Sequence, residues 1–174
     1  MRFRFLAVLA CLVSFGAATT SCSSGSPAPT FVRLTGPMPE ISGTTIAGRS
    51  FGRADYRGKV VVVNFWNQDC PPCREEQPVL EAASQRLSAR GVIVVGLVYV
   101  GGNWPNDPPA ALAFLTGNGV TYPNLLDAGS RLAKGFGISG IPTTVIAGRD
   151  GRLAFRILGK VRSGQLDGLV DQLD

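Results

Sequence analysis

Apolar positions are densest at Val60–Trp66 (VVVVNFW), an almost unbroken run rich in β-branched residues. Such a run predicts a central strand covered on both faces rather than a half-exposed one. Val92 to Val100 predicts a second buried strand. Between them apolar residues recur at helical spacing, which predicts a helix from about Pro71 to Arg90, ended by Gly91. Downstream the pattern predicts a helix over Pro109–Asn118 closed by Gly119, a short strand over Tyr122–Leu126 and a helix over Ala128–Phe136. Thr143–Ala147 and Leu153–Leu158 read as strands joined at Arg149-Asp150-Gly151-Arg152, because Asp-Gly is a strong hairpin signal. Ser163–Leu173 is predicted as a closing helix with Ser163 as its N-cap. Phe31–Leu34 and Ile41–Phe51 are short, Gly-punctuated segments, predicted as a β-hairpin or irregular strands. The order strand, helix, strand, helix, then hairpin and helix is α/β organisation.

The amino terminus reads as targeting sequence. Arg2 and Arg4 form a positive segment, and Phe5–Ala18 is a mostly apolar stretch of 14 residues, shorter than the roughly 20 needed to span a membrane. Thr19-Thr20-Ser21 then precedes Cys22. Small residues before a cysteine resemble a bacterial lipobox, although Thr19 stands where lipoboxes usually carry Leu. Residues 1–21 are therefore expected to be a signal peptide removed before a lipidated Cys22. An ordinary secreted protein or an uncleaved helical anchor are the alternatives. Ser23–Thr30 is a polar Ser/Pro/Gly stretch suited to a tether. The tether is drawn over 22–38 and the folded domain over 39–174. Of the four cysteines, Cys11 would leave with the leader and Cys22 would carry lipid. Cys70 and Cys73 would remain as the only thiols, with none left to mispair.

Composition narrows the chemistry. There is no histidine, which removes His-based triads and His-ligated zinc, haem or copper sites. The net charge of +5 comes from scattered residues, so no nucleic-acid partner is expected. No metal site and no cofactor beyond a redox-active cysteine pair is expected. Trp104, in the Gly101–Pro109 loop, is read as packed on that loop.

What remains is Cys70-Pro71-Pro72-Cys73, a Cys-x-x-Cys pair at a strand-to-helix turn. Cys70 occupies the predicted N-cap, where the helix dipole and free backbone N–H groups favour a thiolate. Cys70 is thus the attacking nucleophile and Cys73, one turn on, the resolving thiol. Pro71 and Pro72 carry no N–H, leaving mainly the Cys73 N–H to face the Cys70 sulfur. Asp69 also disfavours a thiolate and Arg74 favours it. The balance leans toward a reducing couple. Glu76 lies on the helical face of Cys73, with Leu80, Ala83 and Leu87. Buried, it would have a raised pKa and could pass protons between Cys73 and water; turned outward, it would complement the dipole as Glu75 does. Pro78 inside the helix is expected to kink it. Pro142, in Gly140-Ile141-Pro142-Thr143-Thr144, can be a plain strand start. Beside a dithiol it also reads as a cis X-Pro bond that presents the Ile141 backbone to a substrate chain.

These pieces resemble the thioredoxin superfamily, and within it the TlpA/ResA-like membrane-tethered thiol-disulfide oxidoreductases. The resemblance rests on Arg57-Gly58-Lys59 leading into Val60–Trp66, on Cys70-x-x-Cys73 with Pro78 five residues on, and on Gly140–Thr144 with Asp150-Gly151 beyond. It covers roughly Pro39 to Asp174. It implies a thioredoxin fold, with a central mixed β-sheet flanked by helices, an N-terminal β-hairpin and a central insertion. It implies a cis Pro142 opposite Cys70, substrate contact by Ile141, Pro142 and Trp66, and an active-site glutamate at Glu76. Such proteins reduce exported protein disulfides, apocytochrome c among them, and are re-reduced by a membrane donor of the CcdA or DsbD kind. The expected protein is a lipid-anchored monomer on the outer face of the bacterial cytoplasmic membrane. Three residues depart from the family pattern. Asn64 stands where cytosolic thioredoxins bury an Asp, Asp69 replaces a Trp, and Pro-Pro replaces Gly-Pro or Glu-Pro. A disulfide-forming oxidase is the alternative direction. A Sco-like copper chaperone would need Cys-x-x-x-Cys and a histidine, and a peroxiredoxin would need Thr or Ser at Asn67 and Pro at Val63.

Overall fold

The computed structural model describes residues 31–173. The leader, Cys22 and residues 22–30 of the tether lie outside the described residues. The elements run β1 (Phe31–Arg33), β2 (Gly43–Thr44), β3 (Ser50–Phe51), α1 (Arg53–Tyr56), β4 (Val60–Trp66), α2 (Pro71–Ser88), β5 (Val92–Tyr99) and α3 (Pro108–Gly117). They continue with β6 (Asn124–Asp127), a 3₁₀ turn (Ala128–Ser130), α4 (Arg131–Gly135), β7 (Thr143–Ala147), β8 (Leu153–Leu158) and α5 (Gln165–Val170).

A six-stranded mixed sheet has the order β1-β8-β7-β4-β5-β6. β4, β5 and β6 are parallel, while β7, β8 and β1 each run antiparallel to the strand before them. β4 sits inside, and all seven of its residues are buried. Its alternating side chains enter two cores. Val60 and Val62 pack with Leu80, Ala83 and Leu87 of α2 and with Leu166, Leu169 and Val170 of α5. Val61, Val63 and Phe65 pack with Ile41, Phe51, Tyr56, Leu132 and Phe136 on the opposite face. Cover on both faces is why β4 shows no polar alternation. α3 and β6 form the insertion between β5 and α4, and Ala111 and Leu115 of α3 close a third apolar cluster over the end of β4.

Several boundaries differ from the sequence-based expectation. Phe31–Arg33 is not half of a hairpin with the following segment; it is the sixth strand, paired with β8. Residues 34–38 follow it along β8 through Leu34 N–H to Ala154 O and Met38 N–H to Gly151 O. Residues 31–38 therefore belong to the folded sheet edge rather than to the tether; without them β8 would leave a row of unpaired backbone groups. The small hairpin lies wholly within 43–51. The helix expected over Ala128–Phe136 is interrupted where Gly129 and Ser130 are left-handed. α4 restarts at Arg131, its first turn held by Asp127, whose carboxylate accepts the Leu132 and Ala133 N–H groups at 2.8 and 2.7 Å. α5 is preceded by left-handed Gly164. Ser163 is not its N-cap; the Gln165 side chain reaches back to the Arg162 N–H at 3.1 Å instead. Pro78 is accommodated within α2, which continues to Ser88.

One row across the sheet aligns Phe31, Ile157, Thr144, Asn64, Gly96 and Asn124. Gly96 is required there. A Cβ at that position would collide with Asn124 Oδ1 and lie 2.9 Å from Trp66 Nε1, because the Trp66 indole donates to Asn124 Oδ1 at 2.9 Å directly over it. Gly96→Ala is expected to lower stability by about 1–3 kcal/mol through overpacking. A lower urea midpoint at unchanged slope is the measurement that checks this.

Candidate active site

β4 ends at Trp66, and the chain turns through Asn67-Gln68-Asp69 into α2. Cys70 is the N-cap of α2, with extended backbone and prolines at the next two positions. Its sulfur accepts the Cys73 N–H at 3.3 Å. With Pro71 and Pro72 lacking N–H groups, that is the one donor from the first helical turn aimed at the sulfur. Cys70 and Cys73 are joined as a disulfide, with Cα atoms 5.2 Å apart. Both are buried, Cys70 at 1% exposure and Cys73 at 0%. They share the apolar cluster of Trp66, Val98, Ala111 and Leu115, with half-buried Trp104, Phe114 and Ile141 packed against it. Asp69, Pro71, Pro72, Arg74 and Glu75 form an exposed rim. Arg74 places its guanidinium over the Phe114 ring, 5.5 Å from the centroid. Glu75 pairs with Lys160 at 2.5 Å across that rim.

Glu76 is fully buried, not turned to solvent. Burial pushes its carboxyl up to about 7, against the opposing pull of the Val161 N–H, the Asn64 amide and Lys160. Asn64 Nδ2 donates to Glu76 Oε1 at 2.8 Å and to Thr144 Oγ1 at 3.0 Å. The Val161 N–H donates to Glu76 Oε2 at 2.7 Å. Asn64 Oδ1 has no partner. The position that titrates in a cytosolic thioredoxin is thus an amide here, and the ionisable group beside it stands on α2.

The Ile141–Pro142 peptide bond is cis, as the resemblance implied. Pro142 opens β7, and Ile141 is half-buried against the dithiol cluster. Cys70, Cys73 and Ile141 are thereby brought together, and Glu76 is placed one helical turn beyond Cys73. Trp66 is a correction. It has no exposed surface, and its ring packs on Phe114 with centroids 5.4 Å apart. It supports the dithiol from below and is not available to a docked chain. Trp104, expected to pack on its own loop, is half-buried against the dithiol cluster instead. Asn67, which the sequence marks only as a non-peroxiredoxin residue, proves to be a fully buried polar anchor of the active-site turn.

A family model described as Redoxin matches residues 23–173. The chain belongs to the Redoxin family. Among curated relatives, it is 26% identical over 135 residues to "Thiol-disulfide oxidoreductase ResA" of Bacillus thuringiensis, covering 78% of this chain and 75% of that one. It is 34% identical over 125 residues to "Thiol:disulfide interchange protein HelX" of Rhodobacter capsulatus, covering 71% and 66%. Among solved structures, a DsbF homologue from Corynebacterium diphtheriae superposes with a TM-score of 0.72 at 30% identity, covering 85% of this chain and 96% of that one. With its thioredoxin-like fold and Cys70–Cys73 pair, this redoxin is a thiol-disulfide oxidoreductase. No helix among the described residues is long and apolar enough to cross a membrane.

Proposed function

We propose that this protein works as a reductase of disulfides in exported proteins, of the kind needed to free haem-binding cysteines in apocytochrome c. It would act as a monomer held by a lipidated Cys22 on the outer face of the cytoplasmic membrane. The observation that carries the direction is the environment of the Cys70 sulfur. It receives one N–H from the first turn, it is buried in apolar surroundings, and the nearby Arg74 cation is engaged with Phe114. A thiolate there is weakly stabilised, and a dithiol whose thiolate is weakly stabilised gives up electrons more readily.

In the forward reaction the Cys70 thiolate attacks one sulfur of the substrate disulfide. A Cys70–substrate bond forms, and the substrate's other sulfur leaves as a thiolate that takes up a proton. Cys73 then loses its proton and attacks Cys70 Sγ, closing the Cys70–Cys73 disulfide and releasing the second substrate thiol. Two electrons pass from the protein to the substrate. Glu76, near neutrality in its titration and one turn from Cys73, is assigned as the group that accepts the Cys73 proton. Ile141 and Pro142 would hold the substrate backbone beside Cys70. A membrane donor of the CcdA or DsbD kind would return the electrons. A lipid on Cys22 would tether the fold from the end of the sheet that carries the dithiol. Phe31 lies on the same sheet row as Asn64 and Thr144, at the end of the sheet where β4 delivers the dithiol. The eight residues Ser23–Thr30 reach at most roughly 30 Å beyond that end.

The test is the resting state of the couple in living cells. Acid-quenched alkylation should find Cys70 and Cys73 mostly as thiols, and the purified couple should have a potential nearer about −270 mV than about −120 mV. A mostly oxidised pair with a potential near the latter value would establish the oxidase direction instead.

A further inference from the structure

We propose that Asn67 is a positioning residue that latches the 100–107 loop onto the active-site turn and so controls access to the Cys70 sulfur. Asn67 is completely buried, and every hydrogen-bonding direction used by its amide goes to backbone. Its Nδ2 donates to Tyr99 O at 3.0 Å and to Pro105 O at 3.2 Å. Its Oδ1 accepts the Asp69 N–H at 3.0 Å, and its own carbonyl accepts the Cys70 N–H at 3.1 Å. One side chain thus ties the turn that delivers Cys70 to the end of β5 and to the loop beyond it.

That loop carries Trp104, whose backbone N–H donates to Gly101 O at 3.1 Å and whose side chain packs against the apolar cluster that holds the dithiol. The base of the loop is held separately, by the Ser130 hydroxyl on Val100 O. Pro105, Asn106 and Asp107 are exposed, so buried apolar packing does little to retain the far side of the loop. The Asn67–Pro105 bond supplies that anchor. A buried amide whose donors are lost leaves two carbonyls without partners, which favours an open loop. In this disulfide form Cys70 is 1% exposed, so almost no sulfur surface is open to an attacking group. Movement of the Trp104 loop is the route by which that surface increases, and Asn67 sets how often it happens.

The acceptor and donor halves of this side chain can be separated. Asn67→Ser keeps a short oxygen able to accept the Asp69 N–H, as Ser does in turns, and it is too short to reach Pro105. It also adds no charge beside Cys70. In the reduced full-length protein, iodoacetamide alkylation of Cys70 should be followed across pH. The limiting rate at high pH should rise about tenfold, the effect of losing roughly one buried hydrogen bond, with the apparent pKa unmoved. Hydrogen exchange at 101–107 should accelerate in the same variant. Trp104→Ala leaves Asn67 intact and removes the cover, and it should reproduce the faster alkylation without depending on the turn's own stability. A wild-type limiting rate in both variants, or a shift in apparent pKa at constant limiting rate, would overturn the latch. A merely structural Asn67 would lower the melting temperature and leave the alkylation profile of the folded protein unchanged.

Discussion

Replacing Cys70 by serine is expected to abolish disulfide exchange, with reduction of a protein disulfide such as insulin slowed about a thousandfold or more. A serine hydroxyl is not ionised at neutral pH and cannot form the sulfur–sulfur bond through which the electrons pass. The fold is expected to persist, because the chain must visit the dithiol state in every turnover and closure of a four-residue loop adds little stability. Cys73→Ser behaves differently. The first attack survives, so one substrate thiol is released per protein, and turnover then stops at the mixed disulfide. Insulin reduction followed by turbidity, beside a single-turnover thiol count, separates the two variants.

Glu76→Gln is expected to remove a distinct segment of the pH dependence. Below about pH 4.5 Glu76 is protonated in both the folded and the unfolded chain. As pH rises from 4.5 to about 7 the unfolded chain gives up this proton while the folded chain retains it. The folded state then binds more protons, so stability falls with rising pH across that window. The full cost, on the order of 3 kcal/mol, is reached above pH 7. In the glutamine variant this decline should vanish, and wild type and variant should diverge in slope between pH 4.5 and 7 in urea titrations. The variant can satisfy only one of the two donors that face Glu76, from Asn64 and Val161. That shifts its stability by a constant and leaves the slope comparison intact. Release of the mixed disulfide should also slow by about a hundredfold, because Cys73 loses its proton acceptor. Parallel stability profiles together with an unchanged release rate would remove Glu76 from the chemistry.

The parts of the fold that could be read along the chain are those governed by short-range pattern. Val60–Trp66 declares a strand buried on both faces because no polar residue alternates there. Cys70-Pro71-Pro72 declares a helix start because proline suits the first turn. Position 76 follows from helical spacing alone. The misread features depend on partners distant in sequence. Trp66 is taken into the core because Gly96 leaves room for its ring and Asn124 offers its indole an acceptor; nothing within ten residues of Trp66 indicates either. Phe31–Arg33 becomes a strand because β8, more than a hundred residues later, has an open edge. Ser163 loses the N-cap position to Gly164, whose backbone turns left-handed just before the helix. The burial of Glu76 required Val161 and Asn64 to meet it from two other elements. Asn67 gave no local signal beyond a preference of asparagine for turns, since its importance lies in carbonyls 32 and 38 residues away.

The ordered attack by Cys70 and resolution by Cys73 is tested most directly by trapping. Full-length protein carrying Cys73→Ser, expressed in the native host and acid-quenched, should accumulate mixed disulfides with exported proteins. Mass spectrometry should place every such bond on Cys70, and Cys70→Ser should accumulate none. Adducts on Cys73 in the Cys70→Ser protein, with none on Cys70 in its counterpart, would contradict the assignment.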